Sequence, residues 1–138
     1  MSALLAFREA GPVLYPAHYA GVASGTAESA DVLVVFLADS SPALEAEVLA
    51  AVGLPASKVR FEAAYQSRAE AQRVHDAITR DFADLRARGL NVVTHGIDED
   101  GVEAIGLAGA TDEEIAHLFD TYGPYLRIDR TAGEPTLL

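Results

Sequence analysis

The sequence predicts an α/β fold, more narrowly α+β: a β-hairpin and a helix, followed over residues 58–129 by a ferredoxin-like split βαβ arrangement. Its sheet is expected to be mostly antiparallel, with the helices on one face. Three observations carry this. Residues 31–37 (DVLVVFL) form a continuous β-branched and apolar run, the pattern of a strand covered on both faces. Ser41-Pro42, Ser67 with Glu70, and Thr111 with Glu114 are three helix-start signals. From Lys58 onward the hydrophobic periodicity reads strand, helix, strand, strand, helix, strand.

Taken in order, residues 1–9 suit a frayed helical turn that Gly11-Pro12 breaks. Residues 13–22, with two tyrosines and Pro16, read as an extended edge segment or short strand, and the small polar stretch 24–29 as a turn. After the 31–37 strand, a helix opens at Ser41-Pro42, turns Leu44, Val48 and Val52 to one face, and stops at Gly53 and Pro55. Residues 58–64 alternate polar and apolar, the mark of a half-exposed strand. The capping box of Ser67 and Glu70 starts a long helix with Ala71, Val74, Ile78, Phe82 and Leu85 on its apolar stripe, and Gly89 suits its left-handed end. Runs 91–97 and 102–107, joined by a loop ending in Asp-Gly, predict a hairpin. Thr111 and Glu114 cap a helix presenting Ile115, Leu118, Phe119 and Tyr122, and Gly123-Pro124 ends it. Residues 125–129 alternate as a last strand, and 131–138 read as a tail. No repeat and no long linker is visible. The expected organisation is one domain over 1–138: a ββα part at 1–57, a βαββαβ part at 58–130 and the tail.

The net charge of -11, with Lys58 as the one lysine, excludes two classes of partner. A phosphate backbone or an anionic membrane needs clustered cations, which the scattered arginines do not supply. A basic protein would be drawn in instead. No apolar run approaches the roughly 20 residues of a membrane span. The absence of cysteine removes disulfides, thiolate nucleophiles and cysteine-ligated metals. The N-terminus has no basic lead, so a cytoplasmic location is expected unless the chain is the mature part of a longer precursor.

Candidate chemistry is sparse, and neither a catalytic residue nor a cofactor or metal is expected. Asp98, Asp100 and Glu103 lack the twelve-position spacing of a calcium loop and read as a solvated hairpin turn. Gly21 to Gly25 places its serine off the position that a nucleophile elbow needs, and Ser67 has a complete explanation as a cap. The histidines (18, 75, 95 and 117) show no zinc-binding spacing. His75 and His117 fall on helices, as boundary or surface residues. His95, in a strand beside the Asp98 turn, is the histidine that a ligand site would use, with Asp98 as its carboxylate. The tyrosines at 15, 19, 65, 122 and 125 fit either core edges or an interface.

With the elements placed, several segments look familiar: Tyr19-Ala20-Gly21-Val22 opening a strand, Tyr65-Gln66-Ser67 ahead of the long helix, Gly89-Leu90-Asn91-Val92-Val93, Gly96-Ile97-Asp98, the returning strand 102–107, and Tyr122-Gly123-Pro124. Over roughly residues 15–129 the chain resembles the pro-domains of secreted bacterial chymotrypsin-like serine proteases, of the alpha-lytic protease and streptogrisin type, and their stand-alone actinobacterial relatives. The resemblance implies a non-enzymatic module that binds a protein, as a protease inhibitor or folding chaperone. Tyr19, Tyr65 and Tyr125 would sit at the contact, and the tail residues Pro135, Thr136, Leu137 and Leu138 would lie in the protease active site. Two other readings stand beside it: a small ferredoxin-like enzyme or ligand-binding domain using His95 with nearby carboxylates, and a homo-oligomeric structural protein.

Overall fold

Each half of the chain is built on one device, a hairpin followed by a helical crossover. The structure, a computed structural model, describes residues 2–27 and 30–131. It divides into two compact units, 1–70 with 99–101, and 71–98 with 102–138.

In the first unit, helix α1 (Ala3–Leu14) leads into β1 (Tyr19–Ala27) and β2 (Ala30–Leu37). The chain then crosses through α2 (Pro42–Val52) and a 3-10 turn (Ala56–Lys58) to β3 (Val59–Ala63). The strand order is β1-β2-β3, with β1 antiparallel and β3 parallel to β2. Val35, Leu37 and Val48 are buried completely or almost so, and they form the core with Phe7, Tyr19, Val22 and Leu33.

Two local expectations are corrected here. Helix α1 runs through Gly11-Pro12 instead of breaking there. Proline in a helix interior loses a backbone bond at a cost of about 3 kcal/mol, but tertiary packing outweighs it. Phe7 sits in the core, and a Cβ on Gly11 would stand 2.3 Å from the Tyr19 ring, so only glycine lets the helix lie this close. The small residues at 24–27 do not turn either. They continue β1 opposite β2, and a Cβ on Gly25 would be 2.9 Å from a Val34 methyl, so close approach explains the glycine there.

The second unit holds most of α3 (Arg68–Arg80), α4 (Phe82–Ala87), β4 (Val92–Ile97), β5 (Glu103–Leu107), α5 (Asp112–Tyr122) and β6 (Leu126–Asp129). Its strand order is β4-β5-β6, again with an antiparallel hairpin and a parallel crossover. Ile78, Leu85, Leu90, Ile105, Leu107 and Leu118 form its core. The long helix expected after Ser67 is split at Asp81, whose backbone (φ -91, ψ 7) interrupts the helical bonding.

The α+β class expected from the sequence is present, as helices on two mixed three-stranded sheets. The pairing differs from one ferredoxin-like sheet over 58–129. Strand β3 is hydrogen-bonded to β2 and belongs with the first unit, which therefore runs past the boundary expected at 57. The reason is the α2 crossover, which returns the chain parallel to the strand it left. A period-two pattern marks a strand without saying which neighbour it takes.

The two units are versions of one repeat, which the sequence had not revealed. A constant offset of 70 relates Leu37 to Leu107, the N-caps Ser41 to Thr111, the fully buried Val48 to Leu118, and the C-caps Gly53 to Gly123. Asp39 (φ 51) and Gly109 (φ 72) share the same left-handed turn before the helix. The hairpins match too, with a register irregularity between Tyr19 and Gly21 and another between Val92 and Thr94.

The tip of the second hairpin, 99–101, is counted with the first unit. The Tyr65 N–H donates to the Asp100 carbonyl at 2.9 Å, and Gln66 Nε2 donates to the Gly101 carbonyl at 2.9 Å. Gly101 has φ +84, and a Cβ there would lie 2.2 Å from the Gln66 carbonyl oxygen. Gly53 also has a positive φ (+76) but open space around it. Gly53→Ala is therefore expected to cost about 1 kcal/mol and Gly101→Ala more than about 2 kcal/mol. Thermal denaturation of both variants checks the order.

Candidate functional site

In β5 the side chains of residues 103, 105 and 107 share one face by strand alternation. Ile105 and Leu107 enter the second core from it, and so does Glu103, at 0% exposure. The same register in β2 is Leu33, Val35 and Leu37, so Glu103 stands where the first unit has leucine. His95 lies directly opposite Ile105, as Val22 lies opposite Val35. An apolar core pair in one unit is thus a glutamate and a histidine in the other.

The third member comes from α3. Ala71, His75 and Ile78 are spaced four and three apart, so His75 lies on the buried stripe of that helix. Nδ1 of His75 is 2.9 Å and Nδ1 of His95 is 2.7 Å from the same oxygen, Glu103 Oε1. An ionised carboxylate only accepts, so each ring presents an Nδ1–H to it. The imidazole rings stack with centroids 4.3 Å apart, and Phe82 meets His95 edge-on at 5.3 Å. The Thr79 hydroxyl donates to the His75 carbonyl at 3.1 Å and lies 3.2 Å from His95 Nε2. Glu103 Oε2 is buried with no hydrogen-bond partner. Burying a carboxylate costs several kcal/mol, which the two N–H donors offset on one oxygen only.

His95 therefore belongs to a polar cluster, and the carboxylate beside it is Glu103, not Asp98. Asp98 is paired with Arg127 at the end of the hairpin, in a separate network. The correction follows from strand geometry: Asp98 lies beyond β4, whereas Glu103 is in the next strand of the same hairpin. His75, expected at a boundary or surface, is a member of the cluster. Two signals were available in the sequence: a glutamate inside the apolar run 102–107, and a histidine four residues after Ala71 and three before Ile78.

The remaining candidates are dispersed. Tyr19 is 3% exposed, packed against Phe7 with ring centroids 5.8 Å apart, and burial raises its phenol above the ordinary range. It is a core residue and offers no contact surface. Tyr65, after β3, and Tyr125, before β6, are exposed at 61% and 39%. Pro135, Thr136, Leu137 and Leu138 lie outside the described residues. His117 borders a cleft of about 520 Å³ between α4 and α5, together with Asp81, Asp84, Arg88, Thr121 and Tyr122. There the Tyr122 hydroxyl donates to Asp81 at 2.8 Å, and burial, then that bond, pushes its pKa well above 10. The cleft carries no member of the histidine–glutamate cluster.

No family model, curated protein or solved structure matches the chain. Among the described residues, no helix is long and apolar enough to cross a membrane.

The repeat supplies the test of the cluster. His95→Val leaves Glu103 with one donor, and is expected to destabilise the protein by about 2–4 kcal/mol. The double variant His95→Val/Glu103→Leu restores the apolar pair of the first unit and is expected to recover most of that loss. Urea unfolding of both variants and the wild type measures the difference. For Tyr122 the raised pKa means its contribution is complete below pH 10 and fades as pH climbs through the folded value. Tyr122→Phe is expected to remove that part of the alkaline unfolding limb, read from stability against pH.

Proposed function

We propose that the chain is a protein-interaction module that captures an extended segment of a partner along an open sheet edge. The observation that carries this reading is the size of the two sheets. Each has three strands, and among the described residues no strand pairs with the outer sides of β1, β3, β4 or β6. Unpaired edges are templates for strand addition. Ladder alternation identifies the outward-facing groups. The Ala64 N–H bonds to the Leu37 carbonyl and the Glu103 N–H to the Tyr125 carbonyl. Residues 59, 61 and 63 of β3, and 126 and 128 of β6, therefore turn their backbone groups outward. Tyr65 and Tyr125 stand beside these two edges as exposed aromatic contacts, and the negative charge favours a basic surface on the partner.

The resemblance to protease pro-domains supplies the partner class we infer, a secreted chymotrypsin-like serine protease held as an inhibitor holds it, with the tail at 135–138 reaching the active site. The experiment titrates an alpha-lytic-type protease with the full chain, with Ala63→Pro, with Ile128→Pro and with a chain ending at Asp129. Ala63 is exposed, so proline there removes an outward donor with little loss of packing. Inhibition that one proline variant weakens by tenfold or more supports edge capture, and weakening by the truncation places the tail in the contact. Inhibition left intact by both proline variants contradicts capture along β3 or β6, the two edges flanked by the exposed tyrosines. No inhibition at high concentration removes this protease class as the partner.

A further inference from the structure

We propose that His75, His95 and Glu103 form a binding site for one divalent transition-metal ion of the zinc type, a property separate from the capture of a partner along a sheet edge. The three side chains put their ligand atoms within 4.8 Å of one another. Two imidazoles and one carboxylate are the donor set of zinc sites with three protein ligands and a fourth position open to water. Calcium and magnesium take oxygen ligands, so the two nitrogens select against them.

The hydrogen-bonded triad is close to the geometry an ion needs. Its nitrogen–oxygen separations are 2.9 and 2.7 Å, with a proton between each pair. Zinc at about 2.0–2.1 Å from each donor places neighbouring donors roughly 3.3 Å apart in a tetrahedron. The ion therefore takes the place of the two Nδ1 hydrogens, each neutral ring carrying its hydrogen on Nε2 instead, and the triad opens by about half an ångström, within the reach of small side-chain rotations.

Two further observations point to a ligand. Glu103 Oε2 is buried and has no partner, an expensive state that bidentate coordination removes. The Thr79 hydroxyl, whose own proton goes to the His75 carbonyl, stands 3.2 Å from His95 Nε2 as an acceptor. A histidine that ligates through one ring nitrogen characteristically donates the other N–H to such a group, which fixes the ring. Access is graded: the side chains of Glu103, His95 and His75 are 0%, 10% and 28% exposed. The ion is held from inside by the carboxylate, and water reaches it past His75.

The test uses the full chain stripped with a chelator, then titrated with zinc chloride by calorimetry and with cobalt chloride by visible absorption. One ion per chain is expected, with the ligand-field bands of low-coordinate cobalt. At zinc about 100-fold above Kd, Tm is expected to rise by roughly 5–10 °C. His75→Ala and His95→Ala are each expected to weaken binding by at least about 100-fold, and Thr79→Val by about 10-fold. His117→Ala, outside the triad, should leave affinity unchanged. His75→Ala changes a partly exposed helix position, so it keeps the test valid if His95→Ala does not fold, as circular dichroism will report. Absence of stoichiometric binding at millimolar metal overturns the proposal. Binding that survives in folded His75→Ala also overturns it, because the ion then sits elsewhere.

Discussion

The carboxylate of Glu103 is the constraint on which the second half of this protein depends. It is fully buried on the face of β5 that also carries Ile105 and Leu107, and its two bonds come from different elements, α3 and β4. A buried charge that loses a partner costs several kcal/mol, whereas a missing methyl group in a core costs about one. The histidines therefore fix how helix, hairpin and sheet of that unit meet more stringently than the apolar contacts around them do. Stacking of the two rings and the Phe82 edge limit the rotations by which either imidazole could leave.

The repeat gives this arrangement its meaning. Hairpin, left-handed turn, capped helix and parallel return strand occur twice, and at the positions of His95 and Glu103 the first copy has Val22 and Leu33. The scaffold thus folds without a polar cluster. In the second copy a histidine and a glutamate take two of the positions that are apolar in the first, and a second histidine from α3 joins them. Among the described residues, both copies leave their outer strand sides without a strand partner, and the second copy also carries the histidine–glutamate cluster.

Much of the local structure was legible from residue chemistry. Ser41-Pro42, Gly53, Thr111 with Glu114, and the Asp-Gly turn each name a backbone conformation, and each is found where expected. What failed was information that short patterns do not hold. The 58–64 alternation announced a strand but not its neighbour, and β3 went to β2. Gly11-Pro12 signalled a break that Phe7 and the Tyr19 ring overrode. The repeat stayed hidden because it is conserved in caps and core positions rather than in identities: Val48 answers Leu118, and Ser41 answers Thr111. Of the site, His95 was legible as a strand histidine. Glu103 was read with its turn neighbours Asp98 and Asp100, because solvated acidic turns are common and buried carboxylates rare. Tyr19 looked like an interface residue for the opposite reason, since an aromatic at a strand start serves a core and a surface equally well.

The most direct test of the account is nitrogen-15 NMR of the histidine side chains in the metal-free protein. Two imidazoles, those of His75 and His95, should carry a hydrogen on Nδ1 in slow exchange with water and shifted downfield by the shared carboxylate, and both signals should change in Glu103→Gln. Rapidly exchanging rings without an Nδ1 hydrogen bond, indifferent to the substitution at Glu103, would contradict the buried clamp on which the second unit is argued to rest.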